Sequence, residues 1–318
     1  MHQLPRNIYE QQASNKRTTL VVMICFTLFF GFLGFGFDVL FLGPGFPVAT
    51  FLALAAGSAS AYWSLENGAN AVLSSSKAFP IPHGDARYQV LENVVDEMSI
   101  ASGLPRPKVY VIPDPDPNAF ATGKDPAHAS IAVTEGLLKS LNREELQAVI
   151  AHEMSHVRNY DIRMMTVVAA LVGAVMLLSE FGLRSARFGV GGRRSGSSNR
   201  SGGGGPILLI LWIVAMLLAP LISRILAMAV SRQREYLADA SGAELTRNPQ
   251  ALASALEKID AAAEPTRSIK KGTAHLCIAD PLERTINSKE GFFAELFGTH
   301  PPVSKRIKLL RAMAYQIK

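Results

Sequence analysis

The stretch His152-Glu153-Met154-Ser155-His156 restricts this chain more than any other. Two imidazoles four residues apart converge on one ion only from an α-helix, where positions i and i+4 share a face. Both ring nitrogens can then sit ~2.0–2.1 Å from a metal such as zinc. Glu153 falls beside that ion, placed to take a proton from an activated water. The flanking residues specify the helix. Asn142 is a good N-cap, and Glu145 three residues later completes a capping box. Leu146, Val149 and Ile150 form an apolar stripe one turn ahead of the histidines. The bland alternative is a coincidence on an ordinary amphipathic helix. With His as scarce as it is here, a chance HExxH arises in about 1% of such chains.

The motif is incomplete by itself. A catalytic zinc takes three protein ligands and keeps a fourth position open. Asp161 is near in sequence but lies beyond the ligand face of a continued helix. Glu235, in Glu235-Tyr236-Leu237-Ala238-Asp239, is the better candidate. Asp239 sits one turn further on the same face, where it could accept a hydrogen bond from a ligand histidine. Taken alone, such a pair is ordinarily two solvated helix charges.

Long apolar runs place the chain at a membrane. Residues 19–42 are apolar except for Asp38, too long a run for a signal-peptide core. A Gly/Pro turn separates them from a second run, 48–65, which ends at Tyr62 and Trp63. The two predict a membrane hairpin over 19–65. Arg6, Lys16 and Arg17, in a polar tail of residues 1–18, favour cytoplasmic ends. Two more apolar runs, 164–183 and 206–230, enclose a Gly/Ser/Arg-rich loop, 184–205, with five arginines and no acid. That loop opposes the positive-inside tendency if both runs span. Mean hydropathy of +0.18 with 18% charged residues fits a membrane protein with a soluble part. No basic stripe with interleaved aromatics supports nucleic-acid binding. Cys25 and Cys277 provide neither a disulfide framework nor a cysteine metal site.

The soluble part falls into two pieces, 66–163 and 231–318, mainly helical with a little sheet. Helical spacing covers 85–101, with Gly103 as C-cap. Residues 108–113 and 128–134 read as strands. The second of these, just before the HExxH helix, is placed either to pair with an extended peptide or simply to join a sheet. Residues 231–245, 251–262 and 303–313 read as helices.

These separated motifs resemble the HtpX-type membrane zinc metalloproteases, relatives of the CAAX prenyl proteases. The likeness rests on the N-terminal hairpin, Asn118-Ala119-Phe120-Ala121-Thr122-Gly123, Val133-Thr134-Glu135-Gly136-Leu137-Leu138 and the HExxH helix. It extends over the following apolar pair, residues 235–239 and Thr299-His300-Pro301-Pro302-Val303-Ser304-Lys305-Arg306-Ile307. Loop 184–205 matches no shared motif. The resemblance implies a gluzincin-like fold, one zinc ion on His152, His156 and Glu235, and Glu153 as base. It also implies a bacterial inner-membrane endopeptidase that clears damaged membrane proteins under stress, and the orientation set by Arg6, Lys16 and Arg17 puts its catalytic domain in the cytoplasm. His300 is a candidate donor to the tetrahedral oxyanion, or else a cap on the last helix. Arg306 is expected to pair with a carboxylate near the site.

Two other functions compete: a prenyl-CAAX processing protease, and a membrane scaffold or chaperone with a structural zinc. Four apolar runs are few for a large intramembrane chamber, and a structural zinc has no need of Glu153.

Topology gives the first testable expectation. His156 and Glu235 must meet at one ion, so the apolar pair between them crosses a bilayer twice or not at all; one crossing would set them roughly 30 Å apart. Two crossings put the 184–205 loop outside. Ser197→Cys, in a chain lacking Cys25 and Cys277, should then react with a membrane-impermeant maleimide on intact cells. Reaction only after lysis would show that the pair does not span.

Overall fold

The computed structural model describes residues 8–43, 45–82, 84–173, 232–262, 276–278 and 301–316. Loop 184–205, His300, run 206–230 and the end of run 164–183 lie outside these.

Helices α1 (Ile8–Phe37) and α2 (Val48–Ser75) form the antiparallel hairpin. Both are long and apolar enough to cross a membrane. Their outer faces leave Leu20, Leu28, Phe32, Phe51 and Leu52 exposed, as lipid contact requires. At the tip, the lone acid of the first run has a structural purpose. Asp38 accepts hydrogen bonds from the Ala49 and Thr50 N–H groups and the Thr50 hydroxyl, capping the start of α2. Small residues let the helices approach: Gly31 faces Leu54 and Gly34 faces Ala53.

The hairpin is longer than its apolar runs. Residues 8–18, expected within a polar tail, are helical, because no Gly or Pro interrupts the chain from Ile8 to Arg17. The second helix likewise continues past 65 to Ser75. Both extensions reach the soluble domain.

That domain is built on a four-stranded sheet of order β1-β2-β4-β3: β1 (Phe79–Pro80), β2 (Lys108–Ile112), β3 (Ala119–Thr122) and β4 (Ser130–Thr134). β4 runs parallel to β2 and antiparallel to β3. Strand β4 therefore has a partner on each side and offers no edge to a peptide. The edge strand on that side is β3, whose two small alanines the sequence pattern did not mark as a strand.

Alternation along the strands feeds two cores. Val109, Val111, Ala119, Ala121, Ile131 and Val133 pack against α3 (Gln89–Ser102) and α5 (Arg143–Arg158). Ile112, Phe120 and Ala132 face the other way, onto Val72 and Leu73 of α2 and Met164, Met165, Val168 and Val172 of α6 (161–173). The sheet thus lies between the HExxH helix and the foot of the membrane hairpin. A short helix, α4 (Glu135–Ser140), links β4 to α5. Asn142 accepts the Glu145 N–H, and Glu145 returns the bond to the Asn142 N–H. Glu145 also receives Lys258 and Ser254 from α8 (Pro249–Asp260), tying the start of α5 to the far half of the chain.

α7 (Arg232–Thr246) crosses α5, and α9 (Val303–Gln316) packs on α7 and α8. Gly242 makes the crossing possible. A Cβ there would lie 3.0 Å from the His152 nitrogen and 3.1 Å from its Cα, both rigid backbone. Ala for Gly inside a helix normally stabilises by ~1 kcal/mol. Here Gly242→Ala should instead destabilise, by about 1–3 kcal/mol from overpacking. A thermal melt that rises would show that α7 can move without loss.

Candidate metal centre

Three helices converge behind β3. α5 carries His152, Glu153 and His156 on its buried face; α7 carries Glu235 and Asp239; α9 carries Arg306. All six side chains are buried. The ligand atoms of His152, His156 and Glu235 lie within 4.8 Å of one another. His152 Nε2 is 3.7 Å from one Glu235 oxygen and His156 Nε2 is 3.6 Å from the other. Tetrahedral ligands at ~2.0–2.1 Å from an ion are roughly 3.3–3.5 Å apart, so the spacing is close to what zinc requires.

The polar atoms fit an ion as well as the distances do. His152 Nε2 and one Glu153 oxygen are buried with no hydrogen-bond partner. Buried polar atoms are rarely left so, because desolvation goes uncompensated. A divalent cation between His152, His156 and Glu235 would satisfy the imidazole directly and place positive charge beside Glu153.

Each histidine has a carboxylate behind its other nitrogen. Asp239 Oδ1 lies 3.0 Å from His152 Nδ1, and Asp161 Oδ2 lies 3.1 Å from His156 Nδ1. Arg306 grips Asp239 with both arms of its guanidinium, Nε at 2.8 Å and Nη2 at 2.7 Å. Its Nη1 donates to the Ile278 carbonyl and lies 3.2 Å from Glu235. Planar, always charged Arg suits this buried bidentate place.

Asp161 differs from the sequence expectation. A straight helix would carry it off the ligand face. α5 ends at Arg158, however, and Tyr160 takes a left-handed conformation, φ 59°, that folds the chain back. Asn159, a residue type that stops helices, was the available signal. Asn15, 146 positions away, also touches Asp161, and no local pattern marked it. His300 lies outside the described residues, although Pro301 beside it is buried.

Strand β3 borders the site, with its outer edge already engaged. The Asn118 side chain accepts the Ala119 N–H, and the Ile278 N–H donates to the Ala119 carbonyl. The Ala121 N–H faces the Glu153 carboxylate.

Charges set the protonation of the cluster. Burial raises the Glu153 carboxyl above its usual range, outweighing the two histidines. Burial opposes charge on His156, but the Asp161 bond and the Glu235, Asp161 and Glu153 charges push its pKa up to about 9. Burial also opposes charge on Asp239, yet Arg306 holds its carboxyl below the usual range. The metal-free fold therefore holds the His156 proton more tightly than the unfolded chain. That contribution is full below pH 6.5 and is lost as pH rises through about 9. Glu153, also raised, acts in the same direction from lower pH. Melts in chelator should show the metal-free protein losing stability between pH 6.5 and about 9. A flat profile there would mean that His156 is neutral in the metal-free fold.

Comparison with known proteins agrees with this geometry. Residues 85–314 match the model of peptidase family M48. A protease HtpX homolog of Caldanaerobacter subterraneus subsp. tengcongensis is 44% identical over 308 residues, covering 97% of this chain and 98% of that protein. Another, from Ligilactobacillus salivarius, is 41% identical over 306 residues, covering 96% and 100%. The crystal structure of S. mikatae Ste24p shares the fold with a TM-score of 0.50 at 18% identity, covering 95% of this chain and 66% of that one. With its HExxH helix, converging carboxylates and apolar hairpin, the chain belongs to peptidase family M48, among its HtpX-type membrane metalloproteases.

Proposed function

We propose that this protein is a zinc endopeptidase of the bacterial inner membrane, cutting misfolded or damaged membrane proteins from the cytoplasmic side. The observation that carries the reading is the buried triad of His152, His156 and Glu235 with the Glu153 carboxylate beside it. Arg6, Lys16 and Arg17 support the orientation.

Zinc held by the triad would polarise the scissile carbonyl and acidify a water toward pKa ~7. Glu153 accepts that water's proton and later delivers it to the leaving amine. Asp161 fixes the tilt and tautomer of His156 by accepting its Nδ1 proton, and Asp239, 3.0 Å from His152 Nδ1, is placed to steady the other ring. Arg306 holds Asp239 and balances Glu235, with no need to touch substrate. An extended peptide would run along β3 and take the Ala119 carbonyl that Ile278 now holds. His300 remains the candidate donor to the oxyanion.

The test is metal analysis with a casein assay on the purified protein. Glu153→Gln should keep one zinc per chain and lose roughly 10²–10⁴-fold in turnover. His152→Ala, His156→Ala and Glu235→Ala should each lose zinc, because each removes a ligand. Full zinc content in Glu235→Ala would strike Glu235 from the ligand set. Cleavage of a farnesylated peptide in preference to casein would favour a CAAX-type processing role instead.

A further inference from the structure

One buried polar side chain near the site belongs to neither half of the soluble domain. Asn15 lies on α1, the first membrane helix, and is almost fully buried at 3% exposure. Both its amide protons are used: Nδ2 donates to the Asn159 carbonyl at 2.8 Å and to Asp161 Oδ1 at 2.6 Å. Its own oxygen accepts from Arg234 Nη1 at 3.3 Å. The other oxygen of Asp161 faces His156 Nδ1. One rigid, planar carboxylate therefore joins the membrane helix to a candidate metal ligand.

The contact is part of a built surface. Gln12, one turn earlier, donates to the Arg158 carbonyl, and the Lys16 ammonium sits 4.1 Å over the Tyr160 ring. Residues 12, 15 and 16 of α1 thus clamp the turn 158–161, which holds the left-handed Tyr160. The reach comes from helix length. The 30 residues of α1 span ~45 Å at 1.5 Å per residue, against a hydrocarbon core of roughly 30 Å, so its first turns project to the catalytic domain. The side-chain chemistry at position 15 is also restrictive. Asp161 already receives His156 on one oxygen, so the partner of the other must be a donor. A carboxylate at 15 would set two acids in contact, and an apolar residue would leave Asp161 Oδ1, among the described residues, with Arg234 alone at 3.9 Å.

We propose that Asn15 is a positioning residue of the metal centre: it fixes Asp161, and through it the His156 ring, so that the membrane helix is part of the site rather than only its anchor. The inference rests on the zinc reading above. Outer partners of metal ligands change affinity by about 10–100-fold when lost. Asn15 stands one bond further out, so the lower end of that range applies.

The test uses the full-length protein in detergent, with zinc affinity measured against a chelator and the absorption spectrum of the cobalt-substituted form. Asn15→Ala should weaken zinc binding about tenfold and shift the cobalt bands. Gln12→Ala removes a neighbouring bond to the same turn without touching Asp161, and should change both far less than Asn15→Ala does. In an Asp161→Ala background, Asn15→Ala should add almost nothing, because its route to His156 is gone. Wild-type affinity and spectrum in Asn15→Ala would overturn the proposal. So would equal weakening by Gln12→Ala, or an undiminished effect without Asp161. Should Asn15→Ala fail to fold, Asn15→Ser is judged by the same outcomes. A wild-type protein that binds neither zinc nor cobalt would sink the zinc reading itself, and this inference with it.

Discussion

Charge buried at the crossing of α5 and α7 sets the terms for the rest of this fold. Glu153, Asp161, Glu235 and Asp239 are all buried there. An isolated buried carboxylate costs several kcal/mol or more, so four in one place demand compensation. Among the described residues, Arg306 and Arg234 supply two positive charges against the four acids. Two negative charges remain if the histidines are neutral, as many as a divalent cation carries. Without an ion, protonation has to make up the difference, and Glu153 and His156 both bind protons more tightly than usual. Metal binding and proton release are then two sides of one balance.

The helices around this cluster are placed so that it cannot rearrange cheaply. Gly242 brings α7 against the His152 backbone, and Arg306 fastens Asp239 from α9. Glu145, capping α5, is held from α8 by Lys258 and Ser254. Asn15 reaches the same cluster from α1. The sheet completes the enclosure: one face supports α5, the other rests on α2 and α6. The candidate metal centre is braced by the apolar hairpin on one side and by α9 on the other.

The edge of β3 shows how closely chemistry and scaffold share atoms. Its outward groups are held by the Asn118 side chain, the Ile278 N–H and the Glu153 carboxylate. On the proposed reading, an extended substrate along β3 would exchange with some of these, and Ile278 also offers its carbonyl to Arg306.

The sequence alone settled whatever depends on near neighbours. The HExxH helix, its Asn142–Glu145 cap and the apolar hairpin follow from spacing, capping and composition, which act within a few residues. Glu235 and Asp239 were legible as two acids on one helix face, the first toward a metal and the second toward a ligand histidine, but which carboxylate Arg306 would grip was not. Tertiary structure decided the rest. Asp161 left its expected direction because one left-handed residue broke a helix. Strand β4 lost its role as a peptide edge because β3, with two plain alanines, took the outer position. Asn15 gained a buried partner 146 positions away. Such long-range pairings carry no periodic signature in the chain, because their energy comes from desolvation and packing that exist only once distant segments have met.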